Sequence, residues 1–133
     1  KIKSELNELN EFFQILKSAG ADFLHCSNRR FWEGEFEPDG LNLAGIAKKA
    51  TGLPTISVGS VGLDKDFIKL YAGDHQTQTV DLEILHEKLN KSEFDLIAVG
   101  RALLSDPDWA NKVQDGLEEQ IRPCDKSFVE NYV

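Results

Sequence analysis

Three short apolar segments are separated by stretches with helical periodicity, and this alternation limits the chain to a small group of folds. The segments cover residues 21–26, 55–58 and 94–99. Each interval between them is long enough for a helical crossover, which is the connection that joins parallel strands. Because strands covered by helices on both faces are almost uniformly apolar, we also expect both faces of this sheet to be buried. The sequence therefore predicts an α/β fold with a parallel sheet and flanking helices.

Apolar residues three or four positions apart predict the helices of this fold. The first predicted helix contains Leu6 to Ala19 and ends at Gly20, because glycine readily adopts the left-handed conformation that closes a helix. Further helices are predicted over residues 43–51, from near residue 64, and over 82–89, 101–104 and 109–117, with a loop over 71–79.

The small number of strands leaves two architectures open. A chain of 133 residues with 41% hydrophobic residues can form one domain, and we predict a single segment over 1–133 that includes a C-terminal tail over 117–133. Three parallel strands can form a small open sheet, or they can be consecutive units of a larger (β/α) barrel. Both architectures bind ligands at the carboxyl ends of the strands. The sequence contains no methionine, so we expect it to be part of a longer protein.

Composition and charge argue against several classes of partner. The net charge of −8 disfavours a nucleic-acid-binding protein, because a phosphate backbone requires a basic surface. No apolar run approaches the roughly 18 residues that a membrane-spanning helix needs. Cys26 and Cys124 lie far apart in the sequence, which is typical of reduced structural thiols, and we predict a cytoplasmic protein.

The histidines form no recognisable catalytic or metal-binding pattern. His25 lies within a strand, where we expect a packed side chain, whereas His75 and His86 fall in a loop and a helix. Neither a Ser-His-Asp or Cys-His pair nor a metal-ligand spacing can be argued from the sequence. A complete GxGxxG motif, which would indicate a Rossmann dinucleotide site, is also absent. We therefore predict no catalytic and no metal-binding residues in this chain.

Two strands end at glycines in a way that suits an anion. The second strand runs into Gly59-Ser60-Val61-Gly62, which offers backbone N–H groups and one hydroxyl. The third runs into Gly100-Arg101, where unpaired N–H groups at the head of a short helix combine with a guanidinium. The alternative is that each glycine only forms a tight turn and that Arg101 forms an ion pair with Asp106 or Asp108.

The loop after the first strand begins with Ser27-Asn28-Arg29-Arg30-Phe31-Trp32 and follows the same edge of the sheet. Its hydroxyl, amide, guanidinium and aromatic groups could line a pocket for a planar ring with an anionic tail. Equally, the aromatic residues could cover the end of the sheet while the arginines are solvated. The sequence does not decide between these two interpretations.

Three blocks of sequence resemble the C-terminal portion of the Old Yellow Enzyme family of NAD(P)H:flavin oxidoreductases. The blocks cover residues 20–27, 53–61 and 94–107 in the family's order. The third is the most specific, since it contains a strand, Gly100-Arg101, a short apolar stretch and then Asp106-Pro107 before a helix. With their spacers, the blocks extend over almost the whole chain.

The resemblance implies an eight-stranded (β/α) TIM barrel that binds FMN non-covalently, with this chain supplying strands six, seven and eight. The FMN-binding residues that it implies are Ser27, Gly59, Ser60, Val61, Gly100 and Arg101. The first follows strand six, the next three form the turn after strand seven, and the last two form the turn after strand eight. In the family, main-chain N–H groups and the arginine of these turns hold the FMN phosphate.

The implied reaction of the parent enzyme is hydride transfer from NAD(P)H through FMN to an activated alkene or a similar small-molecule acceptor. The family's substrate-binding histidine or asparagine pair and its proton-donating tyrosine have no counterpart in this sequence, so we expect the isolated chain to be inactive. Because edge strands promote association, we also expect it to need the N-terminal part of the barrel or self-association. Two alternatives remain: the phosphate-binding portion of another (β/α)8 barrel enzyme, and a non-catalytic α/β assembly module.

Overall fold

The computed structural model describes residues 3–36, 40–63, 82–125 and 127. The chain divides into two compact units. The first unit contains Lys1–Gly59 and Glu83–Ala98, and the second contains Ser60–Leu82 and Val99–Val133. The sheet lies in the first unit.

The sheet consists of three parallel strands arranged in the order of the sequence. These strands are β1 (Leu24–Ser27), β2 (Thr55–Val58) and β3 (Leu96–Ala98). Ser27 lies opposite Val58, which in turn lies opposite Ala98, so the three strands end at the same level. The prediction of an α/β fold with a parallel sheet and flanking helices is confirmed.

Helix α1 (Lys3–Ser18) packs beside helix α2 (Leu43–Thr51) in the first unit. Gly20 has a φ of 97° and lies in a Schellman motif, in which the N–H of Ala21 donates to the carbonyl of Leu16 at 3.2 Å. This motif ends the helix where the sequence predicted.

Both ends of α2 are capped by residues that suit their positions. At the start, Oδ1 of Asn42 accepts from the N–H of Gly45 at 2.9 Å. At the end, Gly52 has a φ of 70° and donates to the carbonyl of Lys48 at 2.8 Å. Since α2 packs on β1 and β2, these caps fix a helix that directly covers the sheet.

One face of the sheet is buried and the other is open, which corrects the expectation that both faces are covered. The side chains of Leu24, Cys26, Thr55 and Ser57 lie on the face towards α2 and are buried. On the opposite face, His25 and Ser27 of β1 are exposed, and Leu96 of β3 is 60% exposed. Apolar strand composition predicted burial, but none of the residues that the structure describes packs fully over this second face.

Asp95 fastens the amino ends of β2 and β3 together. Its Oδ2 accepts from the N–H of Thr55 at 2.8 Å, and its Oδ1 accepts from Nζ of Lys48 at 2.8 Å. These two hydrogen bonds lower the pKa of the Asp95 carboxyl, and the one from Lys48 has the larger effect. This end of the sheet is therefore held by an ion pair at its surface.

The remaining helices are short. Helix α3 (Glu83–Asn90) belongs to the first unit, whereas α4 (Arg101–Ser105), α5 (Trp109–Gln114) and the 3₁₀ helix Glu118–Gln120 belong to the second. In the second unit, α5 contacts both α4 and the 3₁₀ helix. Ile121 and Cys124, within the predicted tail, are buried. Within the described part of the chain, none of the helices has the length and apolar character needed to cross a membrane.

Several predicted boundaries were wrong by a few residues. The first strand starts at Leu24 instead of residue 21, and the third covers only Leu96–Ala98 instead of 94–99. The helix after Asp108 ends at Gln114 instead of residue 117. The predicted helix from near residue 64 and the predicted loop over 71–79 lie outside the described residues.

Candidate functional site

The carboxyl ends of β1 and β2 bring two predicted cofactor-binding residues close together. Ser27 is the last residue of β1 and is paired in register with Val58, and Gly59 follows Val58 directly. The Ser27 side chain is exposed on the open face of the sheet. These two residues therefore lie at the edge where ligands bind in parallel α/β folds.

The segment that follows β1 holds the end of β2 through main-chain hydrogen bonds. The N–H of Asn28 donates to the carbonyl of Val58 at 2.8 Å, and the N–H of Phe31 donates to the carbonyl of Gly59 at 3.1 Å. A Cβ atom on Gly59 would lie 2.3 Å from the carbonyl oxygen of Asn28, and the φ of Gly59 is 149°. Glycine is thus required at this position for two separate steric reasons.

A buried polar network lies directly beneath this contact. The Nδ2 group of Asn28 lies 2.9 Å from Oγ of Ser57, 3.1 Å from the carbonyl of Cys26 and 3.3 Å from that of Val58. Nδ2 of Asn42 donates to the same Ser57 hydroxyl at 3.1 Å. The Asn42 and Ser57 side chains are fully buried, so losing a partner in this network would leave a desolvated polar group.

Ser60 and Val61 lie in the second unit and are both buried. Ser60 has a φ of 50°, which is uncommon for a residue with a Cβ. Its carbonyl accepts from the N–H of Leu63 at 3.1 Å, which closes a turn. Such left-handed backbone at a non-glycine residue carries strain of about 1 kcal/mol, and it occurs often at functional turns.

Gly100 and Arg101 also lie in the second unit, at the start of α4. Gly100 is exposed, and apart from its two chain neighbours no described residue has a heavy atom within 4 Å of the Cβ position that a side chain would occupy there. Arg101 is half-buried, and its Nη1 atom is inaccessible to solvent. Since α4 has only five residues, its dipole is weak, and the guanidinium is the main source of positive charge at this turn.

The buried carboxylate of Asp106 joins several segments of the second unit through hydrogen bonds. Its Oδ2 accepts from Nζ of Lys112 at 2.6 Å and from the N–H of Arg122 at 2.9 Å, and its Oδ1 accepts from the N–H of Asp108 at 3.2 Å. Burial alone would raise the pKa of Asp106, but these three hydrogen bonds outweigh it and lower the pKa. The carboxylate fixes the end of α4 to α5 and to the chain after the 3₁₀ helix.

The structure of the loop after β1 partly decides between a ligand pocket and a loop whose aromatic residues cover the end of the sheet. Phe31 is buried and makes an edge-on contact with the half-buried Trp32, with ring centroids 5.2 Å apart. Arg30 forms an ion pair with Glu33 at 2.6 Å. Phe31 is therefore buried beside the end of β2, where its N–H donates to the carbonyl of Gly59, as expected for an aromatic residue that covers the sheet.

His25 was expected to be packed, and this expectation was wrong. Its side chain is exposed because it points to the open face of β1. Both cysteines are free thiols in buried positions, and burial raises the pKa of Cys26. Among the residues that the structure describes, no group of three or more His, Cys, Asp or Glu side chains is arranged to hold a metal ion.

Sequence reasoning missed the supporting residues around these turns. Asn28 was noted only as part of a polar loop, and Asn42 and Ser57 were not singled out. The one signal that could have found Asn42 is its place just before the apolar pattern of α2, which is typical of a helix N-cap. Asp106 was considered as a partner for Arg101, whereas its donors include a backbone amide sixteen residues later in the chain.

Comparison with curated proteins finds distant relatives, and the names of two of them denote oxidoreductases. The chain is 26% identical over 127 residues to the NADH oxidase of Thermoanaerobacter brockii, covering 90% of this chain and 17% of that protein. It is 26% identical over 135 residues to the bilirubin reductase of Clostridium symbiosum (strain WAL-14163), covering 90% of this chain and 30% of that protein. The chain thus spans less than a third of the length of either relative. No protein-family model matches it.

Proposed function

We propose that this chain is the FMN-phosphate-binding part of an NADH-dependent flavin oxidoreductase of the Old Yellow Enzyme type. The observation that carries the proposal is the end of β2, where Gly59 is held against the Asn28–Phe31 segment and is followed by Ser60 in a left-handed conformation. Both relatives support a redox role, since one is named an NADH oxidase and the other a bilirubin reductase.

The residues at the strand ends have the chemistry that a phosphate monoester requires. A doubly charged phosphate is bound well by main-chain N–H groups, a hydroxyl and a guanidinium. Gly59, Ser60 and Val61 offer the N–H groups and the hydroxyl, and Gly100 and Arg101 offer an open backbone and the charge. The space at the missing Cβ of Gly100 is compatible with the close approach of a ligand to the backbone.

In this proposal, FMN supplies the redox chemistry when it is bound, and the residues of this chain bind and orient it. Arg101 would supply positive charge to the phosphate, the Gly59–Val61 turn would supply hydrogen-bond donors to it, and Ser27 would supply a hydroxyl to the cofactor's polar chain. NADH and an acceptor such as an activated alkene would react at the flavin. The residues that contact the acceptor belong to another part of the parent protein.

The fold that we propose for the parent protein is a (β/α)8 barrel, of which β1, β2 and β3 are strands six, seven and eight. Three features support this assignment: the strands are parallel, they are adjacent in sequence order, and only their α2 face is buried. The open face that carries His25 and Leu96 would form part of the barrel interior, where layers of side chains from all strands meet.

The proposal is tested by purifying the full-length protein and identifying any flavin that it retains. We expect FMN in place of FAD or riboflavin, and oxidation of NADH in the presence of an acceptor. A full-length protein that neither retains nor binds FMN, but binds another phosphorylated metabolite, would favour the alternative of a different phosphate-binding barrel enzyme.

A further inference from the structure

The turn over residues 60–63 packs directly against the indole ring of Trp109. A Cβ atom on Gly62 would lie 3.3 Å from Nε1 and 3.7 Å from Cζ2 of this ring. Gly62 also has a φ of 67°, a conformation that favours glycine. Because a side chain at Gly62 would crowd the indole, the ring and the backbone of the turn lie close together. The contact joins the turn to α5, and both belong to the second unit.

Trp109 is itself held in place by the segment that precedes it. The residue is 5% exposed, and its main-chain N–H donates to the carbonyl of Asp106 at 3.0 Å. The N–H of Asp106 donates to the carbonyl of Ala102 at 2.9 Å, at the end of the helix α4 that starts with Arg101. The 60–63 turn, Trp109 and α4 are thus connected through a continuous series of contacts within the second unit.

The 60–63 turn has two main-chain donors that lack an acceptor. Val61 and Gly62 are buried, and within the part of the chain that the structure describes, the N–H of neither residue donates a hydrogen bond. By contrast, the N–H of Leu63 donates to the carbonyl of Ser60 at 3.1 Å and closes the turn. Buried main-chain N–H groups almost always have an acceptor. The two donors therefore indicate an acceptor that the described residues do not supply, and successive N–H groups of this kind suit a phosphate oxygen.

Hydrogen bonding does not explain why tryptophan occupies position 109. Its Nε1 atom is inaccessible to solvent and has no hydrogen-bond partner among the described residues. A donor that loses water without gaining an acceptor destabilises a fold. The ring supplies a broad, rigid surface beside a residue that has no side chain of its own. Since packed interiors leave little free volume, this surface restricts the movement of the turn.

We propose that Trp109 is a positioning residue that fixes the N–H groups of Val61 and Gly62 for the phosphate of FMN. Donors that are already oriented need no reorganisation when the anion binds, and this makes each of them more effective. Trp109 does not contact the phosphate in this account, because its only donor is covered. The inference rests on the proposed function, since it names the support of the same phosphate site.

The test compares Trp109→Leu with Phe13→Leu in the full-length protein. Phe13 is a matched control because it is also a buried aromatic residue, 4% exposed, but belongs to α1 in the first unit. The quantity measured is the ratio of the riboflavin dissociation constant to the FMN dissociation constant, which reports the contribution of the phosphate. We expect this ratio to fall about fivefold or more in Trp109→Leu and to change less than about twofold in Phe13→Leu.

Hydrogen exchange followed by mass spectrometry gives a second readout that does not depend on FMN. The amide of Leu63 closes the turn, so its exchange in the apoprotein should accelerate when the turn loses its support. We expect faster exchange in peptides that cover residues 60–63 in Trp109→Leu and unchanged exchange in Phe13→Leu. If Trp109→Leu does not fold, Trp109→Phe, which keeps a smaller ring, replaces it with the same expected directions.

The outcomes separate this inference from the proposed function. If the wild-type protein binds no FMN, the proposed function fails, and the exchange rates alone decide whether Trp109 fixes the turn. If FMN binds and Trp109→Leu weakens FMN and riboflavin equally, the residue only stabilises the fold and the positioning role is wrong. Unchanged exchange over residues 60–63 in Trp109→Leu would also contradict it.

Discussion

Replacing Asp106 by alanine is expected to destabilise the second unit strongly. The substitution removes a fully buried carboxylate that accepts three hydrogen bonds, one of them from Lys112 at 2.6 Å. Breaking a buried ion pair by removing one partner costs about 3–5 kcal/mol. Lys112 is 21% exposed and can regain some hydration, whereas the amide of Arg122 loses its acceptor. We therefore expect a loss near the lower limit, about 3 kcal/mol.

The assay is urea unfolding of the full-length protein, followed by the fluorescence of Trp109, which is buried in the same unit. Asp115→Ala is the matched control, because Asp115 is an exposed carboxylate just after α5, and it should cost about 0.5 kcal/mol or less. Unfolding midpoints that fall equally in Asp106→Ala and Asp115→Ala would refute the reasoning.

The lowered pKa of Asp106 predicts a pH dependence for the stability difference between wild type and a second variant, Asp106→Asn. A carboxyl whose pKa is lower in the folded state stabilises the protein above its unfolded-state pKa and loses this effect as the pH falls through its folded-state pKa. The stability difference between wild type and Asp106→Asn should therefore be complete near neutral pH and should shrink below about pH 4. A difference that grows on acidification would contradict the assigned direction.

Three further substitutions test separate parts of the account. Gly59→Ala should lower the free energy of unfolding by more than about 2 kcal/mol, because the added Cβ would overlap the Asn28 backbone. Gly20→Ala is the control, since open space surrounds that position, and it should cost about 1 kcal/mol. Urea unfolding measures both losses. Asp95→Asn should cost about 1 kcal/mol near neutral pH, since its ion pair is partly exposed, and calorimetry should show this loss fading as the pH falls below about 4. Ser60→Gly should raise the free energy of unfolding by up to about 1 kcal/mol, because glycine adopts the left-handed backbone without strain. The same variant should weaken FMN binding because it lacks the hydroxyl. An unchanged FMN affinity would show that the Ser60 hydroxyl does not belong to the proposed site.

The sequence predicted the parts of the fold that depend on local signals. Strand β2 was predicted without error because Pro54 and Gly59 bound the short stretch Thr-Ile-Ser-Val, which is rich in β-branched residues, and α2 was predicted because Gly52 provides its C-terminal cap. The start of β1 was misplaced because residues 21–23 are largely apolar although they only connect the Schellman motif of α1 to the strand. Composition alone does not distinguish such a connection from a strand.

The support of the candidate site depends on contacts between distant residues and could not be predicted. Asn28 reaches Ser57, 29 positions later, and Asn42 reaches the same hydroxyl across 15 positions. The open face of the sheet was missed for a related reason. An apolar strand sequence indicates that a face tends to be buried, but it does not say whether the covering residues belong to the same stretch of chain.

The most direct test of the central claim compares FMN with riboflavin, which has the same ring system but lacks the phosphate. Arg101→Ala is the informative variant. Lys91→Ala, which removes a 66% exposed cation directly after the C-terminal end of α3, is the charge-matched control. We predict that Arg101→Ala weakens FMN binding by about tenfold or more and leaves riboflavin binding unchanged, while Lys91→Ala changes neither. Equal losses of FMN and riboflavin affinity in Arg101→Ala, or no loss at all, would contradict the claim that this chain binds the phosphate of a flavin.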